Sequence, residues 1–337
     1  MLHQYIDREN RRVCNEKFYG DRAVKLLYSN VREYAPFLFR ALTSARISRL
    51  LSFVNYELFL GEKLFGHMDF LKARNIHLHE CVDDPDILNT LKKIFERKIR
   101  YWECRPMPGD HDVIVSPADS RMIVGSFCED SLLCVKGKFF DYEEMLGRDK
   151  KKWLKAFQNG DFAVFRLPPD KYHYNHTPVA GRIVDFYHMQ GRYHSCNPNA
   201  VLSMATPYSK NRRIVTIIDT DVDGGTGTGL VAMIEVVAMM IGDVVQCYSE
   251  EGYESPIPIG TGMFVKKGCP KSLYRPGSST DVLIFQQGRM RFSEDIVMNM
   301  FHQRAESILC RGFGIPLIET EVKVRSGIGK VLGRRHN

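Results

Sequence analysis

The stretch YRPGSSTDVLIF, Tyr274 to Phe285, decides how this chain is read. Pro276 and Gly277 make a turn, Ser278, Ser279 and Thr280 follow, and Val282, Leu283, Ile284 and Phe285 form an apolar run. Adjacent proline and glycine punctuate a chain, and a β-branched and aromatic run after them reads as buried sheet. Taken alone, the pattern is a serine-rich β-turn leading into a strand. A serine at so tight a turn has a second use. If a base takes its proton, its Oγ can attack the carbonyl just before it and shift the peptide bond to an ester. β-Elimination of that ester cuts the chain, and the dehydroalanine left on the new fragment hydrolyses to a pyruvoyl group, an electrophile that no ordinary side chain supplies.

Such a strand needs a core around it, and the chain is long enough to provide one. Its 337 residues, 44% of them hydrophobic, can bury one large core or two smaller ones. A charged fraction of 26% and a mean hydropathy of −0.26 describe a soluble globular protein. No apolar run reaches the ~18 residues of a membrane span; Leu230 to Ile241 is interrupted by Glu235 and stops at Gly242-Asp243. The opening MLHQYIDRENRR is charged from the start and lacks the apolar core of a secretory signal. Nine scattered cysteines, odd in number and without a CxxC, point to reduced thiols on the cytoplasmic side. A net charge of +7 and a pI near 8.8 favour acidic partners, with anionic lipid and nucleic acid both compatible by charge.

Residues 1–107 read as a helical region, with apolar residues at three- and four-residue spacing over Asp21 to Tyr28, Tyr34 to Arg46 and Ile47 to Phe59. Tyr34 to Gly61 is rich in Phe and Leu, with Arg40, Arg46 and Arg49 interleaved. A basic amphipathic helix of this kind lies in a membrane interface, or else packs on a core or a second subunit. Asp84 to Arg100 reads as a further helix, acidic at its start and basic at its end. HLHEC, His77 to Cys81, has no second ligand cluster at metal spacing, so it reads as loop or strand and no metal is expected.

From residue 108 the apolar period changes to two. Asp112–Val115, Arg121–Phe127, Leu132–Val135, Phe162–Leu167, Arg182–His188, Arg213–Asp219, Leu230–Val237 and Asp243–Tyr248 are short strand-like runs separated by Gly, Pro and Asp. With Val282–Gln286 and a last helix from about Ser293 to Cys310, the expected class is α+β: a β-rich core at 108–337 with N-terminal helices and a C-terminal helix. DGGTGTG, Asp223 to Gly229, sits between two strands without a GxxxxGK[ST] pattern and reads as a mobile hairpin loop.

Two stretches supply partners for the serine. SPADS, Ser116 to Ser120, presents Asp119 at a turn that Pro117 keeps out of a regular ladder. DKYHYNHTPVAG, Asp170 to Gly181, carries His173 and His176 just before a proline turn. Histidine is the natural proton carrier near neutral pH, and an aspartate on one ring nitrogen fixes its tautomer and holds its charge.

These stretches, with KKGCPKSLYRPGSST from Lys266 to Thr280, resemble the phosphatidylserine decarboxylase family in three motifs, in order and at the right spacing. The family shows P-[AV]-D-G, D-Y-H-x-x-H-x-P-V-x-G and K-G-x-E-x-G-x-F-x-x-G-S-T or G-G-S-T. SKNRRIV, Ser209 to Val215, is similar to its N-E-R-V-V, and the early YIDREN and FYGDRAVKLLY look like its bacterial form, so the resemblance covers nearly the whole chain. Departures are Ser120 for Gly, Ala180 where Asp is frequent, Arg212 for Glu and Ser272 for Gly; none removes a proposed catalytic group. The double-glycine form aligns without a gap and puts the nucleophile at Ser279. The single-glycine form puts it at Ser278 and needs one extra residue before Phe285.

The resemblance implies a chain that cuts itself at about 278/279 into a long and a short piece that stay partners, with a covalent, self-generated pyruvoyl group. In the precursor, His176 held by Asp119 would deprotonate the serine. In the mature enzyme the substrate amine would form a Schiff base with the pyruvoyl carbonyl, CO2 would leave, and His173 or His176 would protonate the α-carbon. Phosphatidylserine would thus become phosphatidylethanolamine at an anionic membrane surface, with the protein peripheral, on the cytoplasmic side and homodimeric, and with no nucleic-acid partner. The alternative is a pyruvoyl enzyme of the same fold acting on a free, for example aromatic, amino acid.

Overall fold

The computed structural model describes residues 2–16, 18, 34, 68, 71, 76–129, 131–134, 139–203, 206–237, 243–277 and 279–333. Its strands begin with β1 (Gln4–Asp7), β2 (Arg12–Asn15), β3 (Val113–Val115), β4 (Ser120–Ser126), β5 (Asp161–Leu167), β6 (Tyr174–His176), β7 (Gly181–Met189) and β8 (Arg213–Asp219). They continue with β9 (Leu230–Val237), β10 (Val244–Gln246), β11 (Phe264–Val265), β12 (Pro270–Tyr274), β13 (Ser279–Phe285), β14 (Met290–Phe292), β15 (Glu319–Val322) and β16 (Gly327–Val331). Ten of them form one sheet in the order β11-β7-β8-β9-β13-β5-β4-β15-β1-β2, and two three-stranded sheets, β10-β12-β6 and β14-β16-β3, accompany it. With its short flanking helices this is the α+β class that the changing period predicts.

β13 lies in the middle of the large sheet, antiparallel to β5 on one side and β9 on the other over its whole length. Every residue of it is buried. Val282, Leu283, Ile284 and Phe285 are all 0% exposed, and each such side chain contributes about 1.5–3 kcal/mol of burial. Both faces of β9 are covered too. That is why the run from Leu230 is apolar at every position but Glu235: a strand buried on two sides has no solvent-facing side to alternate with. Among the described residues no helix is long and apolar enough to cross a membrane.

The first residues depart from expectation. Gln4–Asp7 and Arg12–Asn15 are a β-hairpin rather than helix, and β1 runs parallel to β15. Tertiary pairing overrides local helical spacing here. An ionic clamp holds the hairpin: His3 Nε2 is 2.8 Å from Glu319 and 3.3 Å from Glu16, and Arg166 reaches Glu16 at 2.6 Å and Glu319 at 2.5 Å. His3, Glu16 and Glu319 are close enough together to hold a metal ion. With Arg166 and Arg121 already on those carboxylates, the group reads as an ion-pair network. The Tyr34–Gly61 reading falls, apart from Tyr34, outside the described residues.

Other differences have local causes. Asp84–Arg100 is not one helix: a 3-10 turn at Pro85–Ile87 ends before Thr90, whose hydroxyl accepts the Lys93 N–H and caps Leu91–Phe95. The last helix divides into Glu294–Met300 and Ile308–Phe313, the second capped by Ser307. Leu132 sits in a turn, and Cys134 makes only an isolated bridge to Ser126. The DGGTGTG loop does join two strands, β8 and β9, but it is tied down. Thr226 and Ala180 exchange hydrogen bonds, Gly229 N–H donates to Asp221, and Gly224, Gly227 and Gly229 take the positive φ the loop needs.

Because β13 is bonded on both edges and buried on both faces, a chain cut just before Ser279 is expected to stay together. After such a cut, residues 279–337 should co-elute with the rest in native size-exclusion chromatography and separate only in denaturant. Spontaneous dissociation of the smaller piece in native buffer would contradict the strand order.

Candidate active site

Two of the motifs meet through the backbone. The His176 N–H donates to the Pro117 carbonyl at 2.7 Å, which brings β6 against the SPADS turn. β6 also pairs with β12, so the histidine stretch and the segment leading to the serine turn are one small sheet. Tyr274 ends β12, and its N–H donates to the His173 carbonyl at 3.1 Å.

His176 is fully buried with both ring nitrogens engaged. Nδ1 is 2.9 Å from the Gly268 carbonyl, which can only accept, so Nδ1 carries the proton. Nε2 is left with its lone pair and accepts from the Tyr172 hydroxyl at 3.0 Å. Tyr172 Oη in turn lies 2.7 Å from Tyr253 Oη, and Tyr101 stands edge-on to the imidazole at 4.7 Å. Gly268 can aim its carbonyl this way because it sits at φ 77°, and a Cβ there would meet Met107 Sδ at 2.4 Å. Burial, then Arg325 and Arg105, push the His176 pKa down to about 3 against the pull of the Gly268 bond and of Asp119.

Asp119 does not hold His176 directly. Its carboxylate is gripped by Arg105, whose Nε lies 3.0 Å from Oδ1 and whose Nη2 lies 2.7 Å from Oδ2, and the Val324 N–H donates to Oδ1 at 2.8 Å. Arg105 also reaches Glu80 at 3.0 Å, so one residue of the HLHEC string completes this buried ionic group. Burial pushes the Asp119 carboxyl up, but Arg105 and the Val324 amide hold it below its ordinary value. The aspartate thus acts on His176 through its field, favouring the protonated ring, rather than through a hydrogen bond.

His173 is arranged differently. Its Nδ1 is 2.8 Å from the Lys171 carbonyl, and its ring stacks on Phe95 with centroids 3.5 Å apart. Nε2 is buried and has no hydrogen-bond partner. Burial, reinforced by Arg97, lowers its pKa to about 3. Both histidines are therefore neutral at neutral pH.

Ser279 is the first residue of β13, opposite Leu167 in β5 and Val237 in β9. Its Oγ is buried without a hydrogen-bond partner, so neither histidine bonds it in the uncut chain. Ser278 lies outside the described residues. Successive residues of β6 face opposite ways: His176 turns to Tyr101 and Tyr172, whereas Asn175 donates to Ser272 at 3.0 Å and to Glu235 at 3.4 Å. Glu235 lies in β9 directly across from Asp281, two residues along from Ser279. Alternation therefore sets Ser279 on the Asn175 side of the small sheet. Sequence reasoning missed Arg105, Glu80 and Tyr253, which come from distant segments. Tyr172 lay inside the quoted histidine motif and Glu80 inside the HLHEC string, and these were the signals available.

Comparison with known proteins gives the same direction. The family model for phosphatidylserine decarboxylase matches residues 91–306, a span containing Asp119, both histidines and the serine turn. A protein of Fusobacterium nucleatum named phosphatidylserine decarboxylase proenzyme is 28% identical over 88% of this chain and 91% of its own length. A Chlamydia trachomatis protein of the same name is 30% identical over 77% of this chain and 76% of its own, and one from Brevibacillus brevis is 33% identical over 61% and 74%.

The buried imidazoles make stability depend on pH. Both ionise near pH 6.5 once unfolded but only near 3 in the fold. Below about pH 6.5 the unfolded chain therefore takes up protons that the fold refuses, and stability falls as the pH drops, by up to about 1.4 kcal/mol per pH unit for each ring. Melting curves from pH 7.5 to 5 should show a falling Tm, and the double variant His173→Gln, His176→Gln should flatten the fall. An unchanged slope in that variant would show that these rings are solvated.

Proposed function

The chain belongs to the phosphatidylserine decarboxylase family, and we propose that it converts phosphatidylserine to phosphatidylethanolamine and CO2 after cutting itself before Ser279. The carboxy-lyase activity and the self-made pyruvoyl group come with the family. The observation that carries the reading is the Ser279 hydroxyl, a buried polar atom without a partner at the head of a rigid strand. Most buried polar atoms are matched, and this one stands at the turn where the sequence motif puts the nucleophile. His173 Nε2, Thr280 Oγ1 and Asn175 Oδ1 are further unmatched buried atoms in the same motifs, so the residues present fit a pyruvoyl group formed here and a substrate beside it.

In cleavage, Ser279 Oγ bonds to the carbonyl carbon of residue 278 while the peptide bond from that carbon to the Ser279 nitrogen breaks, leaving an ester and a free amine. We assign the hydroxyl proton to His176, whose Nε2 lone pair is set by the Nδ1–H bond to Gly268 and which hands it on to the departing nitrogen; because that ring faces away from the Ser279 side of the small sheet, the turn before β13 has to move for the transfer. Tyr172 donates to that lone pair in the uncut fold, so it either yields the position or passes the proton along. Asp119, clamped by Arg105, stabilises the charged ring. Loss of the α-proton of Ser279 then expels residue 278 as a carboxylate, and water releases ammonia to leave the ketone. Once present, that carbonyl supplies the electron sink for the pair released with CO2. His173, with its Nε2 lone pair unclaimed and Phe95 covering its ring, takes the proton that the substrate ammonium gives up and returns it to the substrate α-carbon.

Intact mass is expected to show two pieces, with the smaller starting at residue 279 and blocked to stepwise N-terminal degradation. Ser279→Ala should remain one chain while Ser278→Ala is cut. His176→Ala and Asp119→Asn should slow cleavage by ~10²-fold or more, as removal of a proton-transfer group does. His173→Ala should still be cut but decarboxylate poorly. A full-length, uncut chain with parental activity would end this reading.

The family acts at a membrane surface, and the basic, Phe- and Leu-rich sequence from Tyr34 to Gly61 supports peripheral attachment through that region. Each basic group near an anionic surface contributes roughly 1 kcal/mol, so replacing Arg40, Arg46 and Arg49 by Gln should weaken vesicle binding on the order of a hundredfold at low salt. Cleavage should be unaffected, because it is intramolecular. Parental activity of the triple variant on phosphatidylserine vesicles would remove this region from the docking surface, and preference for a free aromatic amino acid would replace the substrate.

A further inference from the structure

β13 carries a second polar residue beside the scissile position. Asp281 is two residues beyond Ser279, so alternation turns both side chains to one face, and Asp281 is 0% exposed. Its cross-strand neighbours are Phe165 in β5 and the equally buried Glu235 in β9. Glu235 is fully matched. Lys271 Nζ lies 2.6 Å and Gln246 Nε2 3.0 Å from its Oε2, and the Ser272 hydroxyl donates to Oε1. Asp281 has no cation in contact among the described residues. Its Oδ1 lies 2.8 Å from Tyr274 Oη, and its Oδ2 has no partner.

The Tyr274 hydroxyl has one hydrogen but two oxygen neighbours, Asp281 Oδ1 at 2.8 Å and the Thr280 carbonyl at 3.0 Å. A carbonyl and a carboxylate both only accept. With an ionised Asp281, one of the two contacts would bring oxygens together with no hydrogen fully assigned to it. With a proton on Asp281, each becomes a hydrogen bond: the carboxyl donates to Tyr274 and Tyr274 donates to Thr280. The charges facing Asp281 agree. A second carboxyl facing it on the adjacent buried strand disfavours ionisation of Asp281, and Lys271 contacts Glu235 rather than Asp281. Burial, and then Glu235, push the Asp281 carboxyl well above its ordinary value, while Tyr274 and Lys271 offset only part of this.

We propose that Asp281 is a neutral carboxylic acid, and that Asp281 and Tyr274 are positioning residues that hold the first peptides of β13 for cleavage at Ser279. The hydrogen bonds run in one direction, from the Asp281 carboxyl through the Tyr274 hydroxyl to the Thr280 carbonyl, one residue beyond the serine. The Tyr274 N–H meanwhile holds the His173 carbonyl, so one side chain and its backbone tie the proton carrier to the strand that reacts. A misplacement of about 1 Å in such a geometry costs on the order of 10²-fold in rate. The inference rests on the reading of Ser279 as the scissile residue.

The uncut Ser279→Ala chain gives the direct test. Its infrared spectrum at pH 7 should contain the carbonyl band of a protonated carboxyl, shifted in D2O and lost when Asp281→Asn is added. Absence of that band overturns the proposal. Cleavage of otherwise parental chains gives the functional test, with melting temperatures recorded alongside. Tyr274→Phe and Asp281→Ala should slow it by on the order of 10²-fold. Asp281→Asn, whose amide can donate where the acid did, should recover most of the rate lost in the alanine variant. If asparagine is no better than alanine at equal melting temperature, a carboxylate is required and the proposal fails. A cut found before Ser278, or none at all, would instead refute the assignment of Ser279, while the infrared band would still report on Asp281.

Discussion

With Ser279 as the proposed scissile residue, chemistry has to occur at the first residue of a strand that is buried on both faces and bonded along both edges. Everything polar around β13 follows from that constraint. A lone charge in such a place is prohibitively costly, so each one is either matched at contact distance or removed. Asp119 is matched by Arg105, Glu235 by Lys271, and Glu16 and Glu319 by Arg166. The histidines are kept neutral by the same burial. A neutral imidazole with a defined lone pair can take a proton, so the dry interior prepares these rings as bases even though it weakens them.

The same burial explains how a chain can be cut in its core and keep its fold. β13 continues into β14, and β15 carries Glu319 into the clamp with His3 and Arg166. The segment after the serine is thus woven through two sheets and paired in parallel with the N-terminal hairpin. Scission removes one covalent link and leaves these contacts in place. A new terminus created at the head of a central strand is held by its neighbours, which is where an electrophile must sit if it is to meet a substrate in a fixed geometry.

Much of this was legible in the sequence, and the parts that were not share a cause. β8 and β9 could be bounded correctly because strands covered on both faces are runs of Ile, Val, Leu and Met between turn residues. Asp119, His173 and His176 stood out because proline turns and paired histidines are local signals. The N-terminal hairpin was hidden because it depends on β15, more than three hundred residues away, and short strands at a sheet edge carry little pattern of their own. Arg105 was hidden for the same reason. An arginine after Trp102, Glu103 and Cys104 looks like solvated surface until the fold places Asp119 and Glu80 around it. The expected Asp119–His176 hydrogen bond was the natural guess from residue types, and the competing claim of Arg105 on both carboxylate oxygens displaced it.

The opposed faces of β6 bear on how one short motif serves two steps. His176 belongs to an aromatic layer of Tyr101, Tyr172 and Tyr253, where its tautomer is fixed and its lone pair is already claimed. His173 precedes the strand, ties to β12 through Tyr274, and keeps an unclaimed nitrogen. A group that acts once, on the chain itself, can be held by partners that must give way. A group that acts at every turnover needs its lone pair open each time. The wiring of the two rings supports the proposed division of labour between cleavage and decarboxylation: one motif puts His176 in β6 and His173 just before it, in two different environments.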